Sequence, residues 1–349
     1  MNKKLIALAV FGACVAPAAM AQTAGPVTLY GRVYETVVSV QADSSATAPE
    51  ISRRTRVDDQ ASLLGVRGTE DLGGGLKAFF QLETAFKPDQ NDTPFAARNS
   101  GIGLEGGWGS FVVGRWDTPY KVSTYPVDAF GDLTMAGISG LGHDQGNFDR
   151  RDQNVLQYWS PNFAGFAFKV AATANESKTA TSNPHDTGAN VTYTRGPLYA
   201  FLAYEDHKDP SAAVSKEHAW SGGAAFSFGA FKIGGEYEQI SRDAATGDNP
   251  TDRKEWLANV IWTFAGANQL ILQYQDSKDG GLNGAAQPKC NSWSGAYKYT
   301  FSKRTFFIAE YMKTKNYDLG TCSFATTASF PVKPGQDVTA AAIGLQHVF

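Results

Sequence analysis

Charged side chains occupy alternate positions in several stretches of the sequence, and this spacing limits the chemistry they can perform. In FKIGGEYE, residues 231–238, every second residue is Phe, Ile, Gly or Tyr, and the residues between them are Lys, Gly and Glu. In LKAFFQLE, residues 76–83, one alternate set is wholly apolar and the other includes Lys, Gln and Glu. Each of these stretches therefore has one apolar face and one polar face, and the charges are spread along the polar face instead of being gathered into a catalytic group.

The histidines do not form a catalytic or metal-binding set. The five are His143, His185, His207, His218 and His347. None has ligand spacing beside a cysteine, so we predict no metal site. A hydrolase would need a nucleophile or carboxylate grouped with a histidine, and we expect the pairs Asp206–His207 and His185–Asp186 to lie in loops. We therefore predict no catalytic residues and no enzyme activity.

One glycine-rich stretch matches a cofactor motif. GIGLEG, residues 101–106, fits the G-x-G-x-x-G pattern of dinucleotide sites, which also needs a helix that opens on the motif. Another glycine-rich turn and another strand pattern follow instead. We therefore expect closely packed strands here, and no cofactor.

Length, composition and charge exclude further classes. The chain has 349 residues, 19% of them charged, and a formal net charge of −3. Without a basic excess, nucleic acid is not an expected partner. The N-terminus alone is apolar enough to suggest a membrane helix, which excludes a multi-span helical membrane protein.

Residues 1–21 have the pattern of a cleaved secretory signal peptide. Two lysines precede an apolar stretch at 5–15, and the AMA sequence at 19–21 fits an A-x-A cleavage site. An uncleaved anchor helix and a lipoprotein signal ending at Cys14 are the alternatives. We predict an exported mature chain of residues 22–349.

Two cysteines, Cys290 and Cys322, remain after removal of the signal. In an exported chain they most simply form a disulfide with each other. We expect both to lie in neighbouring external loops.

Alternation recurs along the mature chain, whereas helical periodicity is almost absent. Short connections such as DLGGG at 71–75 alternate with long polar segments such as 174–187 and 241–253. We count sixteen strands, the second beginning near Asp59, and find no domain linker. The sequence predicts an all-β fold, with one up-and-down antiparallel sheet in a single domain, residues 22–349.

Alternation of apolar and polar residues does not by itself distinguish a soluble sandwich from a membrane barrel, because it does not show which face of the sheet contacts water. The strands carry aromatic residues at their ends, as a barrel with interfacial girdles would. They also carry charges deep in their interior, and a charge facing lipid at the membrane midplane costs about 2–4 kcal/mol, far more than one facing a wet lumen. These features favour a transmembrane barrel over the alternatives, a secreted β-sandwich adhesin or a barrel-embedded hydrolase.

Five segments carry a more specific signal. They are VTLYGRVYETVVSV after the signal, SLLGVRGTEDLGGGLKAFFQLE at 62–83, GSFVVGRW at 109–116, NVLQYWSPNFAGFAF at 154–168 and the terminal GLQHVF. Together they resemble the trimeric general porins of the beta-proteobacterial (neisserial-type) outer-membrane family. The resemblance runs from the signal peptide to the last residue.

The resemblance implies a 16-stranded antiparallel transmembrane β-barrel with short periplasmic turns and long external loops. The third external loop would fold into the barrel, and here it would be residues 117–152, a long segment without strand alternation. The resemblance also implies a homotrimer in the outer membrane, in contact with lipid and lipopolysaccharide, through which ions and small hydrophilic solutes diffuse passively. Phe349 resembles the terminal signal read by the outer-membrane assembly machinery.

Selectivity in a wide pore depends on the charged side chains at its narrowest point. Arg32, Arg67 and Arg115 are our candidates for a basic wall, and Asp128 and Asp132 would face them from the third loop. Arg32 and Arg67 occupy the polar set of alternate positions, so we expect both to point into the lumen.

Further arginines and two departures from the family pattern bear on this wall. Arg53, Arg54 and Arg56 are expected nearer the external mouth. Leu63 and Gln157 stand where the family often has basic residues. The choice between anion and cation preference stays open.

Overall fold

The computed structural model describes residues 27–89, 95–131, 134–137, 148–211, 214–244, 251–280, 289–317, 319–324 and 330–349. The expected signal peptide and Asp132 lie outside these residues. The elements are β1 Thr28–Ala42, β2 Ile51–Asp59, β3 Leu63–Gly73, β4 Leu76–Ala85, β5 Ser100–Gly106, β6 Gly109–Asp117, α1 Pro119–Thr124, β7 Arg151–Trp159, β8 Phe166–Thr173, β9 His185–Arg195, β10 Leu198–Ser211, β11 Val214–Phe228, β12 Phe231–Ala244, β13 Thr251–Phe264, β14 Asn268–Gly280, β15 Lys289–Ser302, β16 Thr305–Tyr317 and β17 Val338–Val348. Among the described residues, no helix has the length and apolar character needed to cross a membrane.

The strands form one closed antiparallel barrel. Strands β1 and β2 pair, as does each consecutive pair from β3 to β17, and β17 pairs with β1 from Arg32↔Val348 to Ala42↔Val338. Closure leaves no strand edge unpaired, which a sheet in lipid requires. The predicted all-β, sixteen-stranded transmembrane barrel is confirmed.

The seventeen strands form a sixteen-stranded barrel because β2 and β3 together occupy one strand position. Both pair with β1, β2 through Glu35↔Asp59 and β3 through Arg32↔Leu63. The break between them contains Ala61, whose φ of 59° lies in the left-handed region. This conformation interrupts the strand locally.

Several strands extend further toward the external side than the sequence predicted. The second barrel strand, formed by β2 and β3, begins at Ile51 rather than near Asp59. Strands β12 and β13 include much of the expected loop 241–253. The sequence pattern did not reveal these extensions, because both faces of a strand contact water outside the membrane. Hydrophobic and polar residues then no longer alternate.

The apolar set of alternate residues points outward, as β12 illustrates. Ile233 is 46% exposed on the outside, whereas Glu236 and Glu238 point inward and are buried. At Gly103, in the GIGLEG stretch, a Cβ would collide with the Phe79 ring and the Phe111 carbonyl. These glycines serve close strand contact in β5, and no helix opens on the motif.

Aromatic side chains form two rows on the outer face of β10–β16. The upper row consists of Tyr204, Trp220, Tyr237, Trp256, Tyr274, Trp293 and Tyr311. The lower row includes Phe226, Phe228, Phe231, Trp262 and Phe264, whose rings contact one another in sequence. Two such rows are the interfacial girdles of a membrane barrel.

Candidate functional site in the barrel interior

The inner segment, residues 118–131 and 134–137, leaves the end of β6 and begins with α1. The Thr118 hydroxyl accepts a hydrogen bond from the Lys121 backbone N–H at 3.2 Å, and Pro119 opens the helix, where no intrahelical donor is needed. The Lys121 ammonium lies 2.8 Å from a carboxylate oxygen of Asp149. This cap and this ion pair fix the fold of the segment locally.

Helix α1 is bound to the inward face of β9, β10 and β12. The Asn190 amide donates to the Pro119 carbonyl at 2.6 Å, and the Tyr199 hydroxyl donates to the Ser123 carbonyl at 2.8 Å. The Tyr120 hydroxyl donates to Glu238 Oε1 at 2.5 Å. Burial, together with Glu238, raises the pKa of Tyr120 well above its usual value, so this hydroxyl remains a donor. The helix therefore lies inside the barrel.

The rest of the inner segment is held by side-chain amides of β13 and β14. Asn259 donates to the Val127 carbonyl at 2.6 Å. Gln273 accepts from the Ala129 N–H at 3.2 Å and donates to the Ala136 carbonyl at 3.1 Å. These bonds satisfy backbone groups that would otherwise be left without partners in a buried segment.

The wall that carries the inner segment contains most of the buried acids of the lumen. They are Glu205, Glu217, Glu236, Glu238, Glu255 and Glu310, none more than 8% exposed. Tyr120 binds Glu238, and arginines of the same wall pair with two others, Arg242 with Glu217 and Arg253 with Glu255. Two of these carboxylates are thus neutralised by arginines within the wall, and Glu238 is satisfied by a hydrogen bond from a neutral phenol.

Arginines of β1–β3 form a second group, which we call the basic wall. Arg32, Arg54, Arg56 and Arg67 occupy the inward register positions of these strands. Arg54 and Arg67 are exposed, and Arg32 and Arg56 are half-buried. Arg56 forms an ion pair with Asp58 at 2.9 Å.

Arg32 and Arg67 both point inward, in keeping with their alternate positions in the sequence. Arg32 Nε donates to the Ala61 carbonyl at 2.8 Å, and the Arg67 guanidinium lies 5.0 Å from the centroid of the Tyr30 ring. Arg32 pairs with Leu63, four residues from Arg67 along β3, so the two arginines are about 13 Å apart along the strand.

The other three candidates for the constriction are placed differently. Arg115 pairs with Ser100, in the outward register of Val113, and its Nε donates to the Ala97 carbonyl at 2.8 Å. Asp128 is buried and accepts a hydrogen bond from the Phe130 N–H at 3.0 Å. Asp132 lies outside the described residues. The structure therefore brings Arg32 and Arg67 to one wall, and holds Asp128 in a segment bound to the opposite strands.

The positions that depart from the family pattern also have defined roles. Leu63 points inward beside Arg32, and Gln157 donates to the Asp117 carbonyl at 2.9 Å. Of the expected mouth arginines, Arg53 donates to Ser39 Oγ on the outward face at 3.0 Å, unlike Arg54 and Arg56.

The acid–histidine pairs lie in strands, and the expectation that they lie in loops was wrong. His185 begins β9 and His207 lies in β10, where it pairs with Asp186 in register. His207 is fully buried, with Nε2 2.7 Å from Glu205 Oε1 and its ring stacked on Phe148. These contacts join the barrel wall to the end of the loop 117–152. In the part of the chain that the structure describes, no group of three or more His, Cys, Asp or Glu is placed to hold a metal ion.

The predicted Cys290–Cys322 disulfide is present, with a Cα–Cα distance of 6.3 Å. Cys290 is the second residue of β15 rather than a loop residue, and Cys322 lies in the segment after β16. The Asn316 amide donates to the Cys322 carbonyl at 2.9 Å and to the Gln336 carbonyl at 2.7 Å. The bridge therefore fixes an external segment that is also bound by hydrogen bonds.

Our reading of the sequence missed the amides that hold the inner segment. Asn259 and Gln273 face each other across β13 and β14, and Gln275 also donates to the Ala136 carbonyl. The signal was present in the alternate spacing of Gln273 and Gln275, which places two amides on the inward face.

Three comparisons with known proteins agree with this architecture. A family model described as Gram-negative porin matches residues 5–319. The outer membrane porin protein 32 of Delftia acidovorans is 32% identical over the full length of both chains, and the major outer membrane protein P.IB of Neisseria meningitidis serogroup B is 32% identical over 62% of this chain and 63% of its own. The solved structure of an anion-selective porin from Comamonas acidovorans superposes with a TM-score of 0.82 at 25% identity, covering 93% of this chain and all of that one.

The family match covers most of the chain, and the first of these relatives matches from end to end. These relatives are channels of the outer membrane rather than enzymes, and the closed barrel described above is of the same kind. The chain belongs to the Gram-negative porin family and resides in the outer membrane.

Proposed function

We propose that the chain forms a water-filled channel for passive diffusion of small hydrophilic solutes, narrowed between the inner segment and the basic wall, and that it favours anions. The observation that carries this proposal is an asymmetry of charge in the lumen. The carboxylates beneath the inner segment are buried, and several are paired, whereas Arg54 and Arg67 are exposed on inward positions. Exposed charges at the lumen surface dominate the field that an ion meets.

The anion preference also has support from half-buried lysines on inward positions of other strands. Lys169 lies 4.8 Å from the Trp159 ring and Lys298 lies 4.3 Å from the Phe306 ring. In the described structure, neither lysine has a carboxylate within ion-pair distance. The similar protein from Comamonas acidovorans is an anion-selective porin.

A reversal-potential measurement across a salt gradient tests both parts of the proposal. The folded protein reconstituted in a planar bilayer should conduct, and the sign of the potential should show that anions permeate faster. Absence of conductance would contradict the channel, and a cation-selective potential would contradict the charge argument alone.

We also propose that the chain assembles as a homotrimer through the face formed by β17, β1 and β3. Aliphatic residues predominate on the outward positions there, for example Leu29, Leu64, Ile343 and Leu345, each of which is exposed in the single chain. Glu35 and His347 share this face. The upper aromatic row does not continue onto these strands, all of which the structure describes. Aromatic girdles mark contact with the lipid interface, so an apolar face without one fits contact with another subunit.

Two processing steps complete the proposal. Residues 1–21 are removed as a signal peptide, so N-terminal sequencing of the mature protein should begin at Gln22. Phe349 acts as the terminal signal for the assembly machinery; in the folded barrel its N–H donates to the Gly31 carbonyl at 3.0 Å. Deletion of Phe349 should lower the amount of folded protein in the outer membrane, while urea-refolded protein should keep its conductance.

A further inference from the structure

Three lysines form a row across the outer face of β13, β14 and β15. Lys254 pairs with Lys278, and Lys278 pairs with Lys289. Since neighbouring strands are about 4.8 Å apart, the row spans about 10 Å. Like charges directly opposite each other destabilise a sheet. Such a row therefore points to an external anion that offsets the repulsion.

Two more lysines continue the positive patch on β16. Lys315 and Lys313 lie on outward register positions, opposite Asn291 and Trp293, and both are exposed. The lysine patch is Lys254, Lys278, Lys289, Lys313 and Lys315. Across the described residues, no carboxylate lies within ion-pair distance of these five ammonium groups.

Two carboxylates share this outer face without neutralising the patch. Asp252 accepts a hydrogen bond from the Ser241 hydroxyl at 2.7 Å. Asp276 pairs in register with Trp256 and Asn291, one outward position below the row of three lysines. A third acid, Asp337, precedes Val338 of β17 at the edge of the patch and accepts a hydrogen bond from the Asn316 N–H at 2.8 Å. The five lysines exceed these three acids by two charges.

Two adjoining apolar grooves lie directly below the patch. Their walls and floor are formed by Trp256, Ala258, Val260, Leu270, Leu272, Tyr274, Trp293, Gly295, Tyr297, Ala309 and Tyr311. Ala258, Gly295 and Ala309 are small residues between the larger side chains, and the ring centroids of Tyr274 and Trp293 are 4.4 Å apart. Their volumes are about 620 and 440 Å³.

We propose that the lysine patch and the grooves below it bind one phosphorylated lipid of the lipid A type. The upper aromatic row marks the membrane interface, so the lysines lie at headgroup depth and the grooves at acyl-chain depth. A row about 10 Å long with several unpaired charges fits a headgroup with more than one phosphate. The site deepens the expected contact with outer-membrane lipid and rests on the proposed outer-membrane channel, but it is independent of the selectivity of that channel.

Native mass spectrometry of the folded protein in detergent tests the site, with bisphosphorylated lipid A as the probe. The variant K254Q/K278Q/K289Q should bind the lipid at least about tenfold more weakly than the natural chain. The matched control is K178Q/K208Q/K333Q, which removes the same charge from exposed external positions elsewhere. An equal loss of binding in the control would overturn the proposal, because it would show attraction to the whole external surface.

Three further measurements test the nature of the ligand. Phosphatidylethanolamine should not saturate the site, and inorganic phosphate should compete only weakly. The variant Ala309→Phe, which fills a groove without touching the lysines, should also weaken lipid binding. If inorganic phosphate competes as well as the lipid does, or if A309F binds normally, the acyl grooves play no part and the lipid assignment is wrong.

Conductance and unheated gel mobility verify that each variant is folded, and they separate this proposal from the proposed function. A variant that conducts normally but has lost lipid binding supports the site. If the triple variant does not fold, the single variant Lys278→Gln, in the middle of the row, gives the same comparison with Lys208→Gln as its control.

Discussion

Arg67 and Arg115 were both candidates for the basic wall, but the structure places them on different faces of the barrel. Arg67 is exposed on the inward face of β3 above the Tyr30 ring, whereas Arg115 follows the outward register of β6 and donates to the Ala97 carbonyl. A charge reaches ions in the lumen only from the inward face, where water transmits its field over roughly a Debye length, ~10 Å at 0.1 M salt. The two residues are therefore a matched pair for testing selectivity.

The variant Arg67→Gln should lower the anion-to-cation permeability ratio about two- to fivefold, because it removes an exposed positive charge from the basic wall. Reversal potentials at low ionic strength measure the change, and the difference should shrink in 1 M salt as screening increases. Arg115→Gln is the control and should leave the ratio nearly unchanged. Equal effects of the two substitutions would contradict the assignment of faces.

At the scale of elements, the inner segment depends on amides of the barrel wall. Gln273 on β14 bonds to the Ala129 N–H and the Ala136 carbonyl, and thereby spans the segment. Gln269 lies on the same inward face four residues away but bonds to Thr263 within the wall. This pair separates an effect on the segment from a general effect of losing an amide.

We expect Gln273→Ala to increase the current noise and the mean conductance of single channels, because the inner segment loses two of its contacts. The Ala129 N–H loses its partner, which costs about 1–3 kcal/mol if the group stays dry, and the Ala136 carbonyl keeps only the bond from Gln275. Gln269→Ala should give records like those of the natural protein. Identical quiet records from both variants would show that the segment does not depend on Gln273.

The Cys290–Cys322 bridge acts on the external end of the barrel. It closes a loop with a sequence separation of 32 residues, for which the chain-entropy model gives about 3–4 kcal/mol. The variant C290S/C322S should be cleaved faster by protease in the segment after β16, while the barrel keeps its unheated gel mobility. Reduction of the natural protein should give the same cleavage rate, and unchanged cleavage after both treatments would show that the Asn316 hydrogen bonds suffice.

At the scale of the whole molecule, the outer surface has two kinds of face. The face with aromatic rows suits lipid, and the aliphatic face of β17, β1 and β3 suits a second subunit. Ile343 on β17 and Ile233 on β12 are both outward and about half exposed, at 54% and 46%. They allow the same substitution to be made on each face.

The variant Ile343→Trp should weaken or abolish the trimer, because a packed interface does not accept the extra volume. Ile233→Trp should leave the trimer intact, because fluid lipid accommodates a larger apolar side chain. Native mass spectrometry and unheated gel mobility report the oligomeric state. A stable trimer with Trp at 343 would place the subunit contact on another face.

The sequence by itself determined the fold class, the number of barrel strands and the disulfide. Alternation is a local property, since the pleat of a strand sends neighbouring side chains to opposite faces, so it can be read wherever one face is lipid and the other is wet. It gave the inward direction of Arg32 and Arg67 for the same reason. It failed at the external ends of β2, β12 and β13, where both faces are wet.

Only the tertiary structure decided which charges face the open lumen. The hydrogen bond that satisfies Glu238 inside the barrel comes from Tyr120, which is 118 residues away in the chain. The row of lysines on β13–β15 depends on register in the same way, because residues far apart in sequence become neighbours only when the strands are paired.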